Sequence, residues 1–327
     1  MRNVAVLSHI ADIDGVGAAA LVRMRYGMPL SHIFFTGHSR GEVADACAEL
    51  RGLSGSGVLL FITDLSPNAE TIGLYGSLIS RTKSNGGSVV WLDHHVWLRD
   101  AIRNLAGRCD IAVFGENSKM CATQLVKRFL RLNSRFASEF ADNVHYIDLF
   151  ISTSNRKYVE RAELYKLAIA YYLRGGSRRA QQSRLRKLAA AISSGRFITP
   201  EVRRDALKFK KVNEERLKLL FSSMVRLSDS IVLGFSRQVD SNDACMGMLA
   251  KSGADISILV KTDTGHCSIR SVKADTLPLA NALGGGGHPH ASGFTLDVRR
   301  YNRFRSADSR KRVAELIARK ARSAGLL

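Results

Sequence analysis

Ser88-Val89-Val90-Trp91-Leu92-Asp93-His94-His95 sets an acid and two imidazoles directly behind a short apolar run. A run of that length reads as a buried strand, so the three polar groups fall at its carboxyl end. Two other stretches repeat the arrangement. Val4-Ala5-Val6-Leu7 leads into Ser8, His9, Asp12 and Asp14, and Val58-Leu59-Leu60-Phe61-Ile62 leads into Asp64. The carboxyl ends of parallel strands all open on one edge of a sheet, where ligands bind in open α/β folds. Three distant segments would thus deliver carboxylates and imidazoles to one place. Calcium loops also space their acids, but they are built from more oxygen donors and not from imidazole. Carboxylates suit Mn and Mg, whereas imidazole disfavours Mg, so the set predicts two Mn2+ ions with Mg2+ as the substitute.

Outward from these strands, the first 130 or so residues alternate strand and helix patterns. Helical periodicity covers 17–25, 42–51, 69–80 and 119–132, and further strands are expected at 32–35 and 110–114. Such alternation predicts an α/β fold, doubly wound about a mostly parallel sheet. From 134 to 230 the pattern is helical. There Arg174, Arg178, Arg179, Arg184, Arg186 and Lys187 form a basic run, while Leu185, Leu188 and Ile192 share one helical face. An amphipathic helix with a charged outer side follows, either merely solvated or tracking a phosphate backbone. Strand character returns at 230–235, 256–261, 267–271 and 294–296, with helices at 244–250, 276–283 and 309–323. The expected division is a metal-binding domain over 1–150, a basic helical connector over 151–229, and a smaller α+β domain over 230–327, facing the first across a cleft.

With 327 residues, 45% of them apolar, the chain can bury two full cores. No apolar run approaches the roughly 18 residues that span a bilayer, so no membrane partner is expected. The opening MRNVAVLSHI reads as a strand, not a signal peptide. Cys47, Cys109, Cys121, Cys245 and Cys267 are odd in number and show no CxxC spacing. That excludes a disulfide framework and a zinc finger, and suits a reducing cytoplasm. The 49 basic and 29 acidic residues leave a net charge of +20, a surface that attracts polyanions. Nucleic acid is therefore the expected partner.

Taken in order, HIADIDGVGAAAL (9–21), FITDLSPN (61–68), WLDHH (91–95), CSIRS (267–271) and GGGGHPHASGF (284–294) resemble the DHH superfamily of phosphoesterases. The last two pieces are similar to the DHH-associated C-terminal domain, and the likeness is to the nano-RNA phosphodiesterase and RecJ-like branch. The resemblance implies two Mn ions, one held by His9 and Asp12, the other by Asp14 and His94, with Asp64 bridging. It also implies an aspartate after the helix that follows the DHH motif, either Asp148 (in Tyr146-Ile147-Asp148) or Asp142 (in Phe140-Ala141-Asp142). Asp93 reads as an acid that orients a ligating imidazole. His95 would face the phosphate or leaving group, as charge stabiliser or proton donor. Two ions about 3.5–4 Å apart can share and activate a water for in-line attack on phosphorus.

Gly284-Gly285-Gly286-Gly287-His288 is not a P-loop, because no Gly-Lys-Ser/Thr ending follows. Consecutive glycines let backbone N–H groups close on an anion. His288 adds a switchable donor, and Arg270 offers a planar fork for phosphate. The resemblance gives Arg270, His288 and these glycines the same task. His290 and Ser292 stand nearby without a defined role.

The expected activity is a Mn-dependent phosphodiesterase or exonuclease of the oligoribonuclease type, hydrolysing short or single-stranded nucleic acid, RNA oligonucleotides first. The alternatives are a cyclic-dinucleotide phosphodiesterase and a non-catalytic nucleic-acid-binding or replisome scaffold of the same fold. The sequence does not decide between a monomer and a homodimer.

Overall fold

The computed structural model describes residues 3–53, 57–115, 119–149, 151, 153–237 and 239–327. They form two compact units, Met1–Leu207 and Lys208–Leu327. In the first, β1 (Val4–His9), α1 (Ile13–Tyr26), β2 (Ile33–Thr36), α2 (Arg40–Leu50) and β3 (Leu59–Thr63) alternate. The pattern continues with α3 (Ile72–Ser84), β4 (Ser88–Leu92), α4 (Arg99–Leu105) and β5 (Ile111–Val113). All five strands run parallel, in the order β2-β1-β3-β4-β5. The direction of winding reverses between β1 and β3, the switch point beyond whose carboxyl ends doubly wound sheets bind ligands.

Alternate strand residues point to opposite faces of the sheet. Ala5, Leu7, Phe34, Leu60, Ile62, Val89 and Trp91 pack with α2, α3 and α4 in one core. The other face is covered by α1, which is buried continuously from Ile13 to Val22, as befits a helix apolar on all sides. Small residues let its neighbours approach. A Cβ on Gly17 would lie 2.8 Å from Thr123 Oγ1. Thr123 belongs to α5 (Ala122–Phe129), which packs on α1 together with α6 (Arg135–Asp148), α7 (Arg156–Leu173) and α8 (Arg178–Ser193). A long helix, α9 (Pro200–Ser222), runs from the first unit into the second.

The basic run on α8 has a use that the sequence did not announce. Arg178, Gln182 and Arg186 stand four residues apart, one above the next on a helix. Arg186 Nε donates to Ile33 O at 2.6 Å, and Arg178 Nη2 and Gln182 Nε2 donate to Phe35 O at 3.1 and 2.5 Å. Phe35 N in turn donates to Gln182 Oε1 at 3.0 Å. Side chains of a helix thus satisfy the outer edge of β2, an edge that would otherwise invite another strand. Arg184 is also engaged, on Tyr172 O. Replacing the buried Gln182 by Ala strands the Phe35 N–H, and is expected to cost about 2–3 kcal/mol in denaturant unfolding. A loss within error of zero would mean that water reaches this edge.

The second unit contains β6 (Val225–Arg226), β7 (Ile231–Ser236), α10 (Ser241–Ser252), β8 (Ile256–Lys261), β9 (His266–Ser271) and α11 (Leu277–Ala282). It closes with β10 (Gly286–His288), β11 (Ala291–Thr295) and α12 (Ala307–Ser323). Its mixed sheet has the order β10-β11-β9-β8-β7-β6, with only β7 and β8 parallel. One face carries α11 and α12 over Ile258, Ile269 and Phe294; the other packs Val232 and Leu259 on α10 and Leu220 of α9. The β6 strand falls in a stretch that reads as helical, and β10 arises inside the glycine run. Among the described residues, no helix is long and apolar enough to cross a membrane.

Candidate metal centre

The strand ends fold tightly. Asp12 caps α1, its Oδ1 accepting from Asp14 N and Gly15 N at 3.1 Å each, while its Oδ2 lies 3.0 Å from His9 Nδ1. Gly15 is required here, since a Cβ would come within 2.3 Å of His9 O. Asp64, the first residue beyond β3, takes a left-handed φ of 55°. Aspartate tolerates that region better than most residues, and such backbone outliers cluster at functional sites. Beyond β4, Asp93, His94 and His95 follow in turn.

These segments converge. His9, Asp12 and Asp64 form one group of donor atoms within 4.8 Å of one another; Asp14, His94 and Asp148 form a second, and Asp64, His94 and His95 a third. Asp64 stands between the first two. Its Oδ2 is 3.6 Å from His9 Nδ1, and its Oδ1 is 3.6 Å from His94 Nε2. His94 Nε2 is also 3.4 Å from Asp148 Oδ2 and 3.9 Å from Asp14 Oδ2. Asp148, at the end of α6, is therefore brought to the cluster. Asp142 is not: it is exposed and accepts from Gln124 Nε2 at 3.2 Å.

Charge is crowded in this cluster. Burial, followed by the charge of Asp64, raises the Asp14 carboxyl to a pKa of about 6. Burial and then the charges of Asp14 and Asp64 push Asp148 up to about 9. Burial works against a charged His94, but Asp64 and Asp14 outweigh it and lift the imidazole to about 9. Burial combined with specific charged partners, displacing several neighbouring pKa values together, is the pattern found at functional sites.

Asp93 is wholly buried and faces away from this crowd. Its Oδ1 accepts from His94 N at 2.9 Å and lies 2.8 Å from His95 Nδ1; its Oδ2 accepts from Trp97 Nε1 at 2.8 Å. Burial opposes its charge, yet the bonds from His95 and Trp97 keep its pKa below the ordinary value. Trp97, which no motif singles out, fixes the acid that fixes His95. Trp97→Phe keeps an aromatic ring against Phe114 while removing the N–H donor together with part of the buried indole volume. It is expected to lower kcat about 10–100-fold with KM little changed, measured by steady-state kinetics at saturating metal. An undiminished kcat would show that Asp93 holds His95 without help.

The sequence also missed two contributions to the site. His38, at the end of β2, lays its ring 4.6 Å from that of His9. Both carboxylate oxygens of Asp14 accept from the first turn of α5, from Ala122 N and Thr123 N at 2.7 Å each. Asp14 thus caps a helix far away in sequence, and no local pattern could have revealed it.

In the second unit the register sets Arg270 of β9 beside Ala291 of β11, and Ala291 beside His288 of β10. Directly opposed residues share a face, so Arg270 and His288 stand in one row with only a methyl group between them. The glycines serve the backbone first. A Cβ on Gly285 would lie 1.9 Å from Gly293 O, and Gly287 has a φ of 132°. Gly284 turns the chain at a φ of 77°, whereas Gly286 has open space around it. Ser292 is buried against Thr276, the two hydroxyls 2.6 Å apart, and His290 is exposed.

A solved structure shares this fold. The pGpG-specific phosphodiesterase PggH from Vibrio cholerae matches with a TM-score of 0.52 at 15% identity, covering 97% of this chain and 99% of that one. An uncharacterized protein from Helicobacter pylori aligns over 98% of this chain and 99% of its own at 20% identity, with a TM-score of 0.42. For an exopolyphosphatase-related protein from Bacteroides fragilis the values are 97%, 93%, 14% and 0.44. No family model and no curated protein matches the sequence. PggH and this chain therefore share a fold over nearly the whole length of both.

The donor set fits divalent cations. Asp64 Oδ2, His94 Nε2 and Asp148 Oδ2 are buried without a hydrogen-bond partner, a costly state unless something with positive charge satisfies them. Carboxylate with imidazole and without thiolate suits hard and borderline divalent cations, Mn2+ among them.

Proposed function

We propose that the protein is a Mn-dependent phosphodiesterase of the DHH kind, acting on short or single-stranded nucleic acid, with RNA oligonucleotides as the preferred substrates. One observation carries the proposal: Asp64 offers an oxygen to each of two ligand groups at the switch point of a parallel sheet. The fold shared with a phosphodiesterase named for pGpG supports a linear dinucleotide as the shortest substrate.

In this proposal His9, Asp12 and Asp64 would hold one cation, and Asp14, His94 and Asp148, with Asp64, would hold the other. When bound, the pair supplies Lewis acidity and lowers the pKa of a water. The chain's own residues do the remainder. Metal binding needs a neutral imidazole, so His9 gives up the proton that Nδ1 shares with Asp12. Asp93 and Trp97 hold the His95 ring in one orientation, from which it stabilises charge on phosphate oxygen or donates a proton to the leaving oxygen. Arg270 and His288 grip a substrate phosphate, the guanidinium by a planar fork and the imidazole by one bond.

The test is a digestion panel with and without Mn. It compares 5′- and 3′-labelled RNA and DNA, from dinucleotides to long single strands, with a cyclic dinucleotide. Mn-dependent release of mononucleotides from short RNA is expected. Tight oligonucleotide binding with no bound metal and no hydrolysis would instead identify a scaffold.

A further inference from the structure

The second unit ends in an unbalanced block of charge. Between 297 and 327 stand ten Lys and Arg residues and three acids, Asp297, Asp308 and Glu315. Among the described residues, none of the ten forms an ion pair with an acid. Val313, Ile317 and Ala321 turn one side of α12 into the core, which leaves Arg312, Arg319 and Arg322 exposed on its outer side.

The turn ahead of this helix is built to hold more of the same charge outward. Asn302, Arg303 and Phe304 take successive left-handed φ values of 45°, 51° and 57°. L-residues adopt this region singly, because Cβ meets the following carbonyl; three in series need external support. Support comes from Arg303 N on Val298 O at 2.7 Å, Phe304 N on Tyr301 O at 2.8 Å, and Arg310 Nε on Phe304 O at 3.0 Å. Tyr301 and Phe304 are buried anchors, their rings stacked 5.9 Å apart. Between and beside them Arg299, Arg303 and Arg305 are exposed.

We propose that this turn and the outer side of α12 form a docking surface for the phosphate backbone of a nucleic acid, distinct from the Arg270–His288 row of the same unit. The cations are chiefly arginine, whose fork matches phosphate in pairs of hydrogen bonds. The neighbouring aromatics are buried, so no ring is offered to a base and recognition is independent of sequence. An anionic membrane is the poorer partner, because the apolar side of α12 is already used in the core and cannot enter a bilayer. The surface acts by binding alone and does not depend on the phosphodiesterase proposal.

Fluorescence anisotropy with a labelled single-stranded RNA, on the full chain in EDTA, tests it without hydrolysis. The joint variant R305A/R312A/R319A/R322A is expected to weaken binding by about tenfold or more and to flatten the salt dependence of log K by about 2–3, given a slope near −0.7 per phosphate contact. The corresponding all-lysine variant keeps the salt slope but loses part of the affinity, because lysine cannot reproduce the paired hydrogen bonds of the guanidinium. Arg303→Gly separates function from fold: glycine takes the left-handed region freely, so Tm rises while affinity falls. Parent-like affinity and salt slope in the alanine variant overturn the proposal. So does binding of the parent to phosphatidylserine vesicles without binding to the RNA.

Discussion

Asp64→Asn is expected to reduce kcat on the order of a thousandfold, equivalent to about 4 kcal/mol of transition-state stabilisation, and to stabilise the metal-free protein at alkaline pH, where the neighbouring imidazoles are neutral. Asparagine is chosen because it accepts the left-handed φ of 55° as aspartate does, whereas alanine would add backbone strain to the lost charge. The loss is large because one carboxylate faces both ligand groups, with an oxygen 3.6 Å from His9 Nδ1 and another 3.6 Å from His94 Nε2. The gain in stability has a separate cause. After burial, the charge of Asp64 is the largest influence raising the Asp14 pKa, and it also raises that of Asp148. Above about pH 9, where His94 is neutral and Asp148 ionised, removing it relieves repulsion among buried acids; at lower pH the lost attraction for the His9 and His94 imidazoles offsets that gain. Metal content, turnover with Mn present, and Tm in EDTA read the three effects. Full turnover in the variant would end the assignment of Asp64 as the shared ligand.

Much of this arrangement is legible in the chain because strands announce where they end. Val4–His9, Leu59–Thr63 and Ser88–Leu92 are apolar runs that stop at an acid or an imidazole, and parallel pairing brings those stops to one edge. Asp148 against Asp142 was open for a plain reason. The two lie on one helix, six residues apart, and on different faces, and no short pattern says which face meets His94. The glycine run was harder. Flexible residues suggest an anion loop, yet Gly286–His288 pairs with Ala291–Gly293, and Gly285 and Gly287 let those backbones touch. Arg178 and Arg186 show the converse. A basic stripe looks solvated until the sheet edge that it serves is known, and β2 is 140 or so residues away in sequence.

Without divalent metal, the protein is expected to be more stable at pH 5 than at pH 9, by on the order of a few kcal/mol, and Mn should reverse that order. An ordinary aspartate loses its proton near 3.8, but folded Asp148 keeps one to about 9, and folded Asp14 to about 6. Between these limits the folded state binds more protons than the unfolded state, so stability falls as pH rises. His94 acts in the same sense. Its folded pKa is about 9 against 6.5, so its contribution is complete below 6.5 and lost on the way to 9. His38, whose pKa burial lowers from 6.5 to about 4, pulls the other way below about pH 6.5 and offsets part of this difference, and the depressed carboxyl of Asp93 does so only below the ordinary carboxylate range. The shifts do not simply add, because the three groups share one cluster and titrate together. Mn inverts the sign because its ligands must be deprotonated: its affinity, and the stabilisation it gives, grow as those protons leave. Denaturant unfolding at the two pH values, in EDTA and in Mn, measures both slopes. Asp148→Asn should flatten the metal-free slope, since it deletes the group with the largest displacement. A metal-free protein equally stable at both pH values would mean that water, not carboxylate repulsion, fills the space between His94 and Asp148.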